Sequence, residues 1–267
     1  MSPVEAVLGF DRSDARLLWN FFKMNVRDKY LGSSLGSVWA IANPLLLLTI
    51  FTFVFGYVYR LRLPGVETTF SYTIWMISGY GPWLASTEAI MAATMSVTSA
   101  AGLVKNMAFK AEILPIAAAL TGLLPLAVSS GLLVGLLFAD GRTLSWHVFI
   151  VLVVVGLQFA FIVSVGFFLS VITVFVRDVG IALPNALTIV LFATPIFYPI
   201  ESMPRIMQIV TRGNPFYIIS EGYREALIYH RIPDVVGLGY VAVLSVGLGL
   251  VGLKVFRRLK GYLEARL

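Results

Sequence analysis

From Tyr30 to Tyr59 the chain runs for 30 residues without one Asp, Glu, Lys or Arg. A helix of about 20 apolar residues already spans the hydrocarbon core of a bilayer. A run of that length constrains the chain more than any motif does, because it places the segment in lipid. Five further uncharged runs follow, at 68–87, 113–139, 143–176, 179–200 and 235–253. Each has room for one helix, and the run at 143–176 is too short for two spans and a turn. The second span is expected to extend past Glu88, since 89–104 is also uncharged. A carboxylate inside a membrane is costly. Glu88 therefore either faces an interior or cavity, or sits at the interface.

Composition agrees. Of 267 residues, 58% are hydrophobic and 13% charged, with a mean hydropathy of +0.88. A soluble domain carries about 25% charged residues. The deficit specifies an integral membrane protein with little chain left for a soluble domain. A net charge of +6 with no basic soluble domain excludes a nucleic-acid binder. The chain has no cysteine, hence no disulfide framework and no thiolate metal site. The first 29 residues hold nine charges, and no short apolar core followed by a small-residue cleavage site occurs there. The first apolar span is thus expected to stay in the mature protein.

Loop charge sets the expected orientation. Segments 1–34, 100–112, 176–180 and 254–267 carry 13 Lys and Arg; segments 60–69, 139–145 and 200–235 carry seven. The excess of cytoplasmic Lys and Arg in membrane proteins then puts both termini in the cytoplasm, with six spans.

Before the first span, Asp11 or Ser13 is a candidate cap for a helix through about Tyr30. Arg16, Asn20, Lys23 and Arg27 fall on one stripe, with Leu17, Leu18, Phe21, Phe22, Met24 and Val26 opposite. That pattern suits a helix lying in the headgroup plane, its basic side chains reaching anionic lipid. The alternative is an ordinary amphipathic helix packed on protein.

Two loops are more than connections. In 100–115 a short cytoplasmic helix is expected, with Leu103, Val104, Met107 and Phe109 exposed and seeking a partner. In 201–233, Ser202 ahead of Pro204 marks a helix start. Ile206, Ile209 and Val210 make one apolar face, and Gly213-Asn214-Pro215 ends that helix and starts another. Phe216, Ile219, Tyr223 and Leu227 repeat at helical spacing, while Glu221, Arg224 and Glu225 mark a polar side. Two such helices suit a re-entrant hairpin, or else a loop lying on the membrane surface. The fifth span carries Pro184, Pro195 and Pro199, so Thr194–Pro199 is expected to be a broken outer end.

Catalytic signatures are absent. There is no phosphate-cradling Gly-x-x-x-x-Gly-Lys-Ser/Thr loop. Gly247, Gly249 and Gly252 match a dinucleotide fingerprint but sit inside the sixth span without a preceding strand, so close helix packing explains them. Gly32/Gly36 and Gly131/Gly135 carry the same packing signal. His147 and His230 lack a metal-ligand pattern, no carboxylate pair occurs within a span, and there is no nucleophile elbow. Aromatics remain: Phe51, Phe53, Phe55, Tyr57 and Tyr59 in span one, Trp75, Tyr80 and Trp83 in span two, Phe197 and Tyr198 in span five. An interfacial aromatic belt accounts for many of them. The competing reading is a sugar slide, in which flat rings pack on pyranose faces.

Arg27-Asp-Lys-Tyr-Leu-Gly-Ser-Ser-Leu-Gly-Ser-Val-Trp-Ala-Ile-Ala-Asn-Pro44 closely resembles the opening of polysaccharide-exporting ABC transporter permeases, the membrane subunits for O-antigen, capsule and wall teichoic acid export (the Wzm type). Further matches follow in order: Gly81-Pro-Trp83, Lys105 through Pro115, Phe175-Val-Arg-Asp178, Thr194-Pro-Ile-Phe-Tyr-Pro199 and Asn214-Pro-Phe-Tyr217. The resemblance covers essentially the whole chain.

It implies an all-α integral membrane fold in one transmembrane domain. Residues 1–34 would be a cytoplasmic interface segment, 35–256 a six-span bundle with an external gate hairpin at 201–233 between spans five and six, and 257–267 a cytoplasmic tail. It implies a homodimer in the bacterial cytoplasmic membrane, bound to two copies of an ATPase subunit that holds ATP and Mg. This chain would then have no catalytic residue, no metal and no cofactor of its own. The cargo would be a glycan on undecaprenyl diphosphate, O-antigen first, with capsule or teichoic acid as alternatives. Under the resemblance, Arg27 and Lys29 attract the lipid diphosphate. Trp39, Phe51, Phe55, Tyr59, Trp83, Phe197 and Tyr198 line the channel. Leu103, Lys105, Met107, Phe109 and Lys110 couple to the ATPase, and Pro204, Asn214, Pro215, Phe216 and Tyr223 form the gate. The rival classes are an ABC exporter of small amphiphiles, an ion-coupled secondary transporter, and a membrane-embedded glycosyl enzyme. Sparse intramembrane carboxylates count against the second, and the missing catalytic acid or metal site against the third.

Overall fold

The computed structural model describes residues 11–31, 33–59, 69–106 and 109–266. Among these the chain is helical, with no strand. We number the helices α1 (Arg12–Tyr30), α2 (Trp39–Phe51, continuing as a π-helix over Thr52–Val58), α3 (Thr69–Ser99), α4 (Ala101–Asn106) and α5 (Ile113–Ala119). There follow α6 (Leu123–Ala139), α7 (Val148–Phe175), α8 (Asp178–Ala193), α9 (Arg205–Arg212), α10 (Pro215–Leu227) and α11 (Val235–Arg266).

Each uncharged run carries one helical stretch, the run at 113–139 being shared by α5 and α6 with a 3-10 turn (Leu120–Gly122) between them. Four stretches are both long and apolar enough to cross a bilayer: Trp39–Val58, Ile113–Ala139, Val148–Phe175 and Val235–Leu263. The expected count of six also includes α3 and α8, which do not meet both conditions. α3 has 31 residues, passes through Glu88 as expected, and is diluted by serines and threonines; α8 has 16 residues. α11 runs on as helix through the segment expected to be a tail.

The local chemistry explains the ends. Asp11 caps α1: its carboxylate accepts from the backbone N–H of Ser13 and Asp14, while Asp14 reaches back to the Asp11 N–H. These bonds hold the Asp11 carboxyl down at about 2, the Ser13 hydroxyl contributing most. Gly36 takes φ +50° in the small-residue turn before α2, a backbone region that suits glycine. Asn214 caps α10, its side chain accepting from the Phe216 N–H, with Pro215 in the first turn. The start of α9 differs from expectation. Ser202 lies in a 3-10 turn (Ile200–Ser202), and Pro204 precedes the helix without any side-chain cap.

α3 is the central post. α5, α6, α7 and α10 all pack along it, α10 also meets α7, and α11 packs along α7. Small residues permit close approach. A Cβ on Gly122 would lie 2.5 Å from the Ala85 carbonyl oxygen and 2.8 Å from the Ala89 Cβ. Gly249 and Gly252 face Ser164 and the Phe167/Phe168 pair on α7, as the packing reading requires, whereas Gly247, Gly36, Gly131 and Gly135 face no neighbour. Gly32 lies outside the described residues.

Candidate functional site

A cavity of about 840 Å³ opens between α1 and α3, beside α5, on which α1 packs. α1 supplies Met24, Asn25, Asp28 and Lys29; α3 supplies Leu84, Thr87, Glu88, Met91 and Met95 at helical spacing; Leu103 and Leu114 close its far wall. The walls are mostly apolar, and the charges sit at the rim. There Lys29 Nζ meets Glu88 Oε1 at 2.5 Å, with the Glu88 side chain 24% exposed. Beyond the pair lies a smaller cleft of about 320 Å³, lined by Lys29, Ser33, Trp39, Asn43, Pro44, Glu88 and Pro125. Glu88 thus takes the cavity-facing position rather than a bare interface. Arg27 is exposed on the outer face of α1, beside Asn20 and Lys23.

α1 itself combines both readings of its sequence. Phe21 is buried in a second core with Leu17 and Leu18 packed against it, while Arg16, Asn20, Lys23 and Arg27 stay exposed. Trp19 and Met24 also remain exposed on this helix. One face packs on protein and the other is free for lipid headgroups.

The segment after α3 finds its partner within the chain. Val104 is buried and Phe109 is half-buried against Phe21, ring centroids 5.5 Å apart. The expectation that both are exposed is therefore corrected: Phe21 of α1 lies against Phe109, and α4, which carries Val104, packs against α3 and α11. Leu103 is half-buried and Lys105 exposed; Met107 lies outside the described residues. Three polar ties bind this segment to both ends of the chain. Lys110 Nζ pairs with Asp14 at 2.5 Å, Arg257 Nε with the buried Glu112 at 2.9 Å, and Lys260 Nζ donates to the Phe109 carbonyl at 3.0 Å. The Asp14 partner raises the Lys110 pKa.

At the opposite end, the chain breaks after α8 as its prolines predict. Broken backbone at membrane depth needs partners for its carbonyls, and α10 and α3 provide them. Arg224, 1% exposed, donates Nη1 to the Pro195 carbonyl (3.3 Å) and Nη2 to that of Ile196 (2.7 Å). Tyr72 donates its hydroxyl to the Phe197 carbonyl at 2.9 Å, and Asn214 Nδ2 donates to Thr194 Oγ1 at 2.8 Å. Arg224 also pairs with Glu221. The reading of Arg224 as part of a polar outer side of α10 is therefore corrected, because it is buried against the break. Tyr223, on the same helix, donates to Gln158 Oε1 at 2.7 Å; Gln158 in turn donates to the Pro82 carbonyl and Ser86. Phe216 packs edge-on against Trp83, and Pro204 is exposed at the start of α9. The apolar face of α9 (Ile206, Ile209, Val210) is exposed.

The aromatics divide into two sets. Phe51, Phe55, Tyr80 and Phe197 stack on one another, with Phe51 and Phe55 each under 5 Å from Phe197 (4.7 and 4.8 Å). Trp83 and Phe197 are buried inside the protomer, and Tyr198 ties its hydroxyl to the Phe192 carbonyl. Trp39 and Tyr59 are exposed, Tyr59 ending the Phe51/Phe55 row by stacking on Phe55 at 5.9 Å, while Phe53 and Tyr57 form the exposed second row. Alternation in sequence becomes two rows because helical residues four apart share a face.

The ABC-2 type transporter family model matches residues 16–228. The chain belongs to the ABC-2 type transporter family. Curated relatives cover most of its length. An O-antigen export system permease protein, RfbA, of Myxococcus xanthus is 28% identical over 232 residues, 86% of this chain and 87% of that protein. RfbA of Klebsiella pneumoniae is 26% identical over 241 residues, 88% of this chain and 89% of the relative. The polysialic acid transport protein KpsM of Escherichia coli is 24% identical over 237 residues, 88% of this chain and 90% of the relative. ABC-2 membrane subunits work with an ATPase carried on a separate partner, and this chain shares their multi-helix membrane character.

Proposed function

We propose that this chain is the channel-forming permease subunit of an ATP-driven exporter of polysaccharide linked to undecaprenyl diphosphate. The carrying observation is the cavity between α1 and α3 with Lys29 in its lining, in a chain whose relatives include O-antigen export permeases and a polysialic acid transport protein. An apolar hollow with a cation at its edge suits a lipid whose tail is hydrocarbon and whose head is a diphosphate. Anionic headgroups are drawn to basic clusters at the cytoplasmic surface, and exposed Arg27 stands on the approach. O-antigen is the favoured cargo, since the RfbA relatives exceed KpsM in identity; capsule export is the second reading, carried by the KpsM match.

In this account the chain works as a homodimer with two ATPase copies, in the cytoplasmic membrane, with six spans and both termini inside. ATP and Mg bind the partner, not this chain. ATP binding draws the partner's two domains together and moves α1 and the 103–110 segment. Polar ties carry that motion to α11. The channel opens between the permease copies, and the 201–233 hairpin forms the outer gate. Exposed Trp39 and Tyr59 are the rings most available to a passing sugar. Their stacking must stay weak, because a chain held tightly does not advance.

The test is co-expression with the ATPase encoded beside it. The reading predicts a two-plus-two complex whose ATPase activity rises with lipid-linked glycan. A stable complex indifferent to that lipid would favour an exporter of small amphiphiles, and failure to associate under mild extraction would overturn the ABC reading.

A further inference from the structure

Lys29 and Glu88 line both hollows, so their ion pair stands as the partition between them. We propose that this pair is a displaceable door: a phosphate or diphosphate head group replaces the Glu88 carboxylate on Lys29, and parting the pair joins the two hollows into one passage from between α1 and α3 to Trp39. The proposal rests on the export reading, because it takes the visiting anion to be a lipid head group.

Four observations carry it. Glu88 sits in the body of a 31-residue helix, where a carboxylate is costly unless it has a task. Carboxylate and phosphate oxygens are equivalent acceptors for an ammonium group, so one can replace the other without new geometry. The pair is partly exposed, with 36% of the Lys29 side chain and 24% of Glu88 open to solvent. The Glu88 Oε1 atom itself is buried, so an incoming anion reaches the pair from the more open Lys29 side. The larger hollow is walled by Met24, Met91 and Met95, adaptable side chains suited to an irregular hydrocarbon occupant. Asp28 lies on the same rim and, with Glu88, disfavours anions while the door is shut. An anion gains a place there only by taking Lys29.

The full-length chain, in nanodiscs of neutral lipid and without the ATPase, gives a test independent of transport. The chain has no cysteine, so Ala40→Cys in the smaller cleft takes a single environment-sensitive fluorophore. The probes are a long-chain prenyl diphosphate, inorganic diphosphate and the uncharged prenol. The proposal predicts a saturable shift with prenyl diphosphate. Glu88→Gln should tighten the apparent Kd about three- to fivefold, Lys29→Gln should weaken it about tenfold or more, and Lys29→Arg should stay close to the parent. Saturation by inorganic diphosphate at similar concentration supports a site that reads the head alone; a requirement for far more supports a lipid. An equal shift with prenol overturns the proposal. So does Glu88→Gln weakening binding as much as Lys29→Gln, which would make the pair a mere brace. No shift with any probe overturns the door, while the export reading is judged separately by copurification and glycan-stimulated ATPase.

Discussion

The guanidinium carbon of Arg224 lies 3.7 Å from the centre of the Trp75 ring, while its nitrogens hold the carbonyls of Pro195 and Ile196. One buried cation thus staples α10 to α3 and to the break after α8. Arg224→Met should leave two buried carbonyls without donors, each worth about 1–3 kcal/mol. We expect a loss of about 3 kcal/mol, read as a lower unfolding temperature in nanodiscs. Arg224→Lys should rescue little, because a point-like ammonium does not reproduce the planar fork. Gly79→Ala should act in the same direction, since a Cβ there lands on the guanidinium.

Gln158 is held by Tyr223 on one side and by the Pro82 carbonyl and Ser86 on the other. Tyr223→Phe removes one hydroxyl from a packed site and leaves Gln158 Oε1 without that donor. The expected cost is about 1–3 kcal/mol, measured as a shift in thermal or denaturant midpoint. Unchanged stability would show that Gln158 finds another partner there.

The contact of Gly122 with the Ala85 carbonyl sets how closely the end of α5 approaches α3. Backbone cannot move aside as a side chain can. Gly122→Ala should cost about 1–3 kcal/mol through overpacking, whereas Gly131→Ala, with nothing near, should be tolerated in the protomer. Comparing the two variants by thermal unfolding checks the assignment.

The cap of α1 has a defined pH dependence. Asp11 is held at about 2 against an ordinary value of 3.8, so its capping contribution is present above 3.8 and is lost as pH falls through about 2. Hydrogen exchange at the Ser13 and Asp14 amides should therefore stay protected at pH 5. Asp11→Ala should lose that protection at pH 5, with no further loss on acidification attributable to the cap.

Much of this was legible in the sequence because it is local. Uncharged runs mark helices, Asp11 and Asn214-Pro215 mark caps, and Pro195 and Pro199 mark a break, each from a few neighbouring residues. Arg224 was not legible. Its helix periodicity assigns it to the polar side with Glu221, and the carbonyls it serves lie 28 and 29 residues upstream. Val104 and Phe109 read as exposed for the same reason, since α11 beside α4 and Phe21 of α1 beside Phe109 are far away in sequence. Lys29 and Glu88 each stood out alone; a pairing over nearly 60 positions leaves no periodic trace. The buried rings of Trp83 and Phe197 show that aromatic content alone does not separate a channel wall from a core.

The ties from the 109–112 segment to α1 and α11 predict a coupling defect distinct from a folding defect. Arg257→Met strips the buried Glu112 of a charged partner, and Glu112→Gln removes the charge itself. Breaking one side of such a pair costs more than neutralising its buried member. Arg257→Met should therefore lower stability more than Glu112→Gln. Both should weaken the response of the partner ATPase to cargo, measured as the ratio of stimulated to basal rate.

The most direct measurement is ATPase stimulation by lipid-linked glycan in the reconstituted permease–ATPase complex, for the wild-type chain and for Lys29→Gln. The account predicts clear stimulation of the wild-type complex and a response reduced severalfold when the rim cation is lost. Stimulation that is absent in the wild type, or undiminished in Lys29→Gln, would contradict it.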